Sequence, residues 1–446
     1  MLAFLARTGF LPRAGRGKHP GRRVRFAAIT FGAWLTVVAA HCAAESPRID
    51  QLVAEPADSV APAATPSNAG ELVSLEPEPH PEPSSPATLE GILGGPATPF
   101  GLRISGWMDM GYTYSTSGAG RLAVAPELNR YGDEYLFNQL AVTLEKPLDR
   151  DDWSWGTYVQ FFSGADASTL QGPGDIANSN ARFGASLRQA NLQAHLPILT
   201  EGGVDVVFGR QGSLMGYESY MAPLRSFYSL SYQWYFAEDG ADTGCWTTWH
   251  ATDDWDLTYG VYLGSNTLFS LRGDAPSQVL QAKQWLDDDH KLYHCATLVL
   301  GDDAVGNTIP FLPGTFASVL EWRIQYAATE RLVQVFQANA GWDQHVRFVG
   351  TGEWRGLLAN SVYRLDDNLD AQMRLEWFDD VNGTRTGLAT DYAAVTAGLA
   401  ARFGPHFTVR PELRGDFAGK PVFGPLDSLH RDRSQLTAAL ECLWSF

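Results

Sequence analysis

Along the last thirteen residues, Gln435, Thr437, Ala439, Glu441, Leu443 and Ser445 alternate with Leu436, Ala438, Leu440, Cys442, Trp444 and Phe446. A period of two predicts a β-strand, here with one wholly apolar face and two aromatics at its end. Such a strand fits two settings. It could be the last strand of a soluble sandwich, apolar face in the core, or the closing strand of a transmembrane β-barrel, apolar face toward lipid.

The same alternation returns from Gly101 onward. Leu102, Ile104, Gly106, Met108, Met110 and Tyr112 oppose Arg103, Ser105, Trp107, Asp109 and Gly111. In 136–146 one face is expected to hold Leu136, Leu140, Val142 and Leu144; in 154–163 it holds Trp155, Thr157, Val159 and Phe161. Short polar turns follow some runs, at 147–152, 197–203, 251–254, 285–290, 327–330, 365–368 and 403–406. Longer Gly- and Asp-rich connections follow the others, at 115–135, 164–183, 211–242, 265–275, 301–315, 341–352, 379–388 and 417–433. Short and long connections thus take turns, which predicts about sixteen antiparallel strands, within a range of about fourteen to eighteen. A membrane barrel keeps short turns on the side it was exported from and long loops outside, whereas a sandwich has no reason to segregate them. The expected fold is all-β, a single transmembrane antiparallel barrel over 99–446. Residues 279–284 are a weak strand with helix-like composition, and 227–236 reads as an extra strand or as ordered loop. The 211–242 connection, rich in Tyr, Met and Ser, is either folded inward to narrow the channel or an ordered outer loop.

Polarity within the strands says what a barrel would enclose. Phe407, Val409, Pro411 and Leu413 oppose Arg410, Glu412, Arg414 and Asp416, and Leu369, Ala371, Met373, Leu375 and Trp377 oppose Asp370, Gln372, Arg374 and Glu376. With Glu321 and Arg323, the residues Arg374, Glu376, Arg410, Glu412, Arg414 and Asp416 are the candidate lumen wall. A dry core would not take such a face, because burying unpaired charge is costly; a water-filled lumen would. Tryptophans gather near strand ends, and an indole suits the headgroup level. Trp153, Trp155, Trp255, Trp377, Trp444 and Phe446 are the candidate aromatic girdle, with Trp354 near a loop.

Composition narrows the class. Charged residues are only 19%, against 14 Trp, 16 Tyr and 23 Phe, and after the front of the chain no apolar run is long enough for a helical span. Residues 1–44 read as a signal peptide: seven basic residues without an acid, an apolar stretch from Phe26 to Ala40, and small residues around Cys42 to Ala44. Removing those seven charges would move the formal charge from −17 to −24. That acidity argues against nucleic acid. Residues 45–98, dominated by Pro, Glu, Ala and Ser, are expected to be an acidic disordered linker. Of the cysteines, Cys245, Cys295 and Cys442 would remain, either with a Cys245–Cys295 bridge or as separate thiols.

Three blocks carry a family resemblance. The run from Phe137 to Pro147 with Trp155 to Asp166, the stretch Val207 to Glu218 followed by Phe227 to Tyr232, and Asp391 to Leu399 with Val409 to Arg414 and the strand ending at Phe446 resemble, in order, the OmpL-like β-barrel outer-membrane porin family. That family is abundant in planctomycete-type bacteria. The resemblance spans about residues 101–446. It departs from the family where Arg210-Gln211-Gly212-Ser213 stands for a Thr-Pro-like turn, and 301–315 has no clear counterpart. It implies a bacterial outer-membrane barrel and carries over no catalytic residue.

No enzyme motif is present: no phosphate loop, zinc-binding His pair or nucleophile elbow. Asp287-Asp288-Asp289 beside His290 lacks calcium-loop spacing and reads as a solvated turn. No catalytic residue, metal or cofactor is assigned. The expected function is passive diffusion of ions and small polar solutes through a lumen carrying both signs, with the acid excess biasing passage toward cations. Two other readings are a secreted or surface β-rich carbohydrate-binding module and a plugged structural barrel. Expected partners are outer-membrane lipid, small polar solutes or ions, and the barrel-assembly machinery through the C-terminal strand 434–446. A homo-oligomer is compatible with the pattern.

Overall fold

The computed structural model describes residues 101–124, 128–176, 182–305, 316–346 and 348–446. The signal segment and the linker expected at 1–44 and 45–98 lie outside the described residues, as does most of the connection at 301–315. The barrel strands are β1 (Arg103–Ser115), β2 (Glu134–Lys146), β3 (Ser154–Gly164), β4 (Gly184–Leu196), β5 (Val204–Gln211) and β6 (Asp242–Thr252). They continue with β7 (Trp255–Tyr262), β8 (Ser277–Trp285), β9 (Leu292–Gly301), β10 (Phe316–Thr329) and β11 (Leu332–Val346). The last five are β12 (Gly350–Asp366), β13 (Leu369–Asp380), β14 (Thr390–Phe403), β15 (Phe407–Ala418) and β16 (Ser434–Ser445).

Each strand pairs antiparallel with its chain neighbour, and β16 returns to β1, with Tyr112 opposite Leu440 and Met108 opposite Trp444. The result is a closed barrel of sixteen strands. Closure leaves no sheet edge, so the backbone polar groups are satisfied inside the wall, as lipid requires. No described helix is long and apolar enough to cross a membrane. The sidedness of β16 fits a membrane barrel. Leu436, Leu440 and Trp444 stand exposed on the outside while Gln435, Thr437 and Glu441 are buried inside, the reverse of a soluble β-sandwich.

Most short turns and long loops lie where the alternation of the sequence predicts, and the weak run 279–284 is the middle of β8. Three details differ. Asp109 pairs with Gln139 but Met110 with Phe137, so Asn138 is an extra residue that reverses the parity of β2. Leu136 therefore faces inward and is buried, opposite to Leu140, Val142 and Leu144. The expected long loop at 341–352 is strand for most of its length, because β11 and β12 run on to Val346 and Gly350; His345 and Phe348, both in the left-handed region, turn the hairpin. Trp354 points into the barrel with 1% exposure and lies over Gly341, the guanidinium of Arg385 standing 4.7 Å above its ring.

Trp246 lies over Gly260 in the same manner, and a Cβ there would come within 2.2 Å of the indole. An aromatic ring covering a cross-strand glycine fills the gap in the pleated wall. Trp153, in the β2–β3 turn, is largely exposed; Trp155 and Trp255 begin β3 and β7, and Trp444 and Phe446 meet at a tilt, ring centroids 5.0 Å apart, at the end of β16. All five lie at the short-turn rim, while Trp377 lies toward the long-loop end of β13. The three described cysteines are free: Cys245 is exposed on β6 and Cys295 buried on β9.

Candidate functional site

The connection from β5 to β6, residues 212–241, folds into the barrel. It carries a 3-10 turn, Ala222–Leu224, and a one-turn helix α2, Tyr232–Phe236, whose entry is capped by Ser231 Oγ accepting from Trp234 N at 3.2 Å. Phe227, Tyr228, Leu230, Tyr232 and Phe236 are all buried. A segment so rich in large rings is unsuited to water, and here its rings find the interior: Phe236 stacks on Phe378, and Tyr232 contacts Tyr392 with ring centroids 5.2 Å apart.

The wall holds this loop mainly by its backbone. Carboxylates accept its N–H groups: Glu321 from Gly216 at 2.9 Å, Glu412 from Ser229 at 3.0 Å and Glu376 from Tyr232 at 2.7 Å. Guanidinium groups donate to its carbonyls: Arg323 to Gly216, Arg374 to Ser229 at 2.8 Å, Arg414 to Leu230 at 3.1 Å, and Arg410 to Ala222 at 2.7 Å and to Arg225. Asp416 accepts from the Tyr232 hydroxyl at 2.8 Å. All eight wall residues singled out in the sequence therefore meet the loop and are buried beneath it. The charges also pair with each other, Arg414 to Glu376 at 2.9 Å and Arg414 to Asp416 at 2.8 Å. Opposite signs are neighbours in one sector rather than rows facing across a gap. Each of these eight groups thus has a hydrogen-bond or ion-pair partner, as burial of polar groups requires.

A second group completes the clamp. Arg225, on the loop, reaches Asp109 at 2.9 Å and lies 3.9 Å from both Glu441 and Asp166. Asp166 belongs to α1 (Ala165–Leu170), where it accepts from Asn138 and Gln139. Burial pushes its carboxyl up to about 6 against the opposing pull of Arg225. Gln139 also donates to the Tyr220 carbonyl at 2.8 Å, and the Tyr228 hydroxyl donates to Asn138 at 2.7 Å. Near the loop's end Glu238 accepts from Gln337 at 2.7 Å. Its carboxyl is held well above the usual range, by burial first and then by the charge of Glu321. The sequence reading did not single these residues out, although Asp109, Gln139 and Glu441 occupy the polar, inward phase of their strands.

Toward the short-turn rim, a row of ionisable groups crosses β4 to β7: His195 Nδ1 meets Asp205 at 2.7 Å, and His250 bridges Asp205 at 3.1 Å and Asp256 at 2.6 Å. Arg150, from the β2–β3 turn, joins Asp205 at 2.8 Å. Lys283, inward on β8, rests over Trp285 at 4.8 Å and Tyr293 at 5.0 Å. The Asp287–Asp289 segment is a turn in which Asp287 accepts the N–H groups of Lys291 and Leu292.

Known proteins agree with this architecture. The chain superposes with a TM-score of 0.53 on the outer-membrane channel DcaP of Acinetobacter baumannii, at 10% identity over 77% of this chain and 97% of that one. An anion-selective porin from Comamonas acidovorans matches at 0.54 and 10%, over 77% and 99%. Salmonella typhi OmpF, in complex with daunomycin, matches at 0.54 and 12%, over 77% and 97%. At such identities the likeness is one of fold. No curated protein matches the sequence. The family model for beta-barrel porin-2, OmpL-like, matches residues 101–446. The chain is a barrel of the bacterial outer membrane and belongs to the OmpL-like β-barrel porin family.

Proposed function

We propose that this porin-type diffusion channel admits ions and small polar solutes through the space left between its inserted loop and the barrel wall, with a bias toward cations. The observation that carries the reading is the clamped loop: a sixteen-stranded barrel is wide enough for an aqueous lumen, and a segment held from within narrows it. The cation bias is supported by the formal charge of −17. The eight wall residues act in this reading through the loop, by fixing its position. The fold does not set the sign, since one structural neighbour is an anion-selective porin.

The C-terminal strand is proposed as the segment presented to the barrel-assembly machinery. Phe446 pairs by both backbone hydrogen bonds with Gly106 at 2.9 Å, where β16 closes onto β1. A second reading, a plugged barrel, is favoured by the breadth of the clamp, which reaches wall side chains from β1 and β2 round to β16. Reconstitution in a planar bilayer separates the two. Discrete conductance steps with a cation-favouring reversal potential support the channel, anion preference removes the bias alone, and repeated insertion without steps leaves the plug.

A further inference from the structure

One sector of the wall is left out of the clamp. Directly paired inward residues run across β6 to β11 as Thr248, Thr258, Gln281, Thr297, Glu321 and Asn339. At the far end of this row Glu321 and Asn339 are fully buried, and Glu321 accepts from the loop. At the near end Thr248 and Gln281 keep partial exposure. The flanking inward positions there are Trp246, which lies over Gly260, on one side, and His250, Asp256 and Lys283 on the other. The loop meets this sector through the hydrogen bond from Gln281 Nε2 to the Leu214 carbonyl at 2.8 Å and, beside it, through Met215 in the apolar cluster of Trp246 and Val279.

The chemistry of the near end differs from that of the clamp. Thr248 and Thr258 share a hydroxyl–hydroxyl bond of 2.8 Å, and Gln281 donates to the Thr297 hydroxyl at 3.1 Å. The charges nearest to it are His250 paired with Asp256, Asp205 paired with Arg150, and Lys283, which stands opposite Asp256 on the neighbouring strand and rests over Trp285 and Tyr293. Hydroxyl and amide groups exchange hydrogen bonds readily with a solute that carries both donors and acceptors. They offer no fixed charge to replace the hydration shell that an ion sheds in a narrow passage.

We infer that the solute path runs along the β6–β8 side of the lumen, past Thr248, Thr258 and Gln281, and that small uncharged polyhydroxylated molecules suit it best. This rests on the diffusion-channel reading. The charge bias proposed above then arises outside the seam, and the seam itself discriminates by size and hydrogen bonding.

The test uses the full chain in bilayers and liposomes, with Cys245, Cys295 and Cys442 replaced by Ser and single cysteines introduced as T248C, Q281C or N339C. A water-soluble charged thiol reagent is expected to cause a loss of conductance with T248C and Q281C and none with N339C, which lies under the loop. Liposome swelling is expected to be several-fold faster with a neutral sugar than with a carboxylate or ammonium solute of equal size. Replacing Thr248 and Thr258 together by Val is expected to slow sugar entry more than salt entry. Block at N339C without block at T248C overturns the path. Equal entry of sugar and charged solutes overturns the solute class. A parent protein with neither conductance nor sugar entry overturns the diffusion channel itself, an outcome distinct from the other two.

Discussion

Glu376 is the wall residue whose loss should act most directly on the inserted loop. Its carboxylate accepts the Tyr232 N–H at 2.7 Å and lies 2.9 Å from Arg414 and 3.4 Å from Arg374, all of them buried. E376A leaves a buried N–H without an acceptor and two guanidinium groups short of a counter-charge. Removing one partner of a buried ion pair costs about 3–5 kcal/mol. Arg414 keeps Asp416 and Arg374 keeps Glu218, so the lower figure of about 3 kcal/mol applies. That is on the order of a 150-fold shift in the ratio of docked to displaced loop. A loop displaced about once in ten thousand would then be displaced about once in seventy. E376Q retains an acceptor for Tyr232 and should shift the ratio only about tenfold. Single-channel recording reads this as brief excursions to larger conductance, frequent in E376A and rarer in E376Q. The strand pairing does not use this side chain, so both variants should keep heat-modifiable gel mobility. Unchanged traces from a folded E376A would refute the idea that wall charges hold the loop.

Other consequences follow from the same contacts. Glu238 has its carboxyl raised while the loop is docked and ordinary when the loop is displaced; docking is therefore fully favoured in acid and weakens as pH rises from the ordinary carboxylate range through the raised value. Displacement events should grow more frequent with rising pH, and E238Q, still facing Glu321, Glu218, Arg323 and Gln337, should flatten that dependence. G260V puts a branched side chain where a Cβ alone would meet the Trp246 ring, so its barrel should convert to the unfolded gel form at lower temperature, by about 1–3 kcal/mol of overpacking. Deleting Phe446 removes its hydrogen-bond pair with Gly106, and the fraction of chain recovered in the folded gel form should fall.

The barrel itself was legible in the sequence because it is written in local terms. Alternation along Leu436 to Phe446 and the exchange of short turns with long loops depend only on neighbours in the chain, and they yield sixteen strands and the side each residue faces. Where one extra residue entered, at Asn138, local phase failed and Leu136 was assigned to the wrong face. The hairpin at 341–352 reads as a loop because Gly341, Gly350 and Gly352 look like breakers, yet Gly341 is needed beneath Trp354. The eight wall residues could be chosen by phase alone, but not their contacts. Glu412 and Ser229 are far apart in the chain, and nothing near either announces the other.

The way the wall grips the loop also explains why the site leaves so faint a trace. Glu321, Glu376 and Glu412 accept backbone N–H groups, while Arg323, Arg374, Arg410 and Arg414 donate to backbone carbonyls. Every non-proline residue supplies that donor and every residue that acceptor, so these bonds specify the path of the loop and say little about its side chains. The rings of Tyr228, Tyr232 and Phe236 then set its depth by what they bury. A wall built this way can hold loops of different sequence in one place, because the backbone groups it grips are present whatever the side chains.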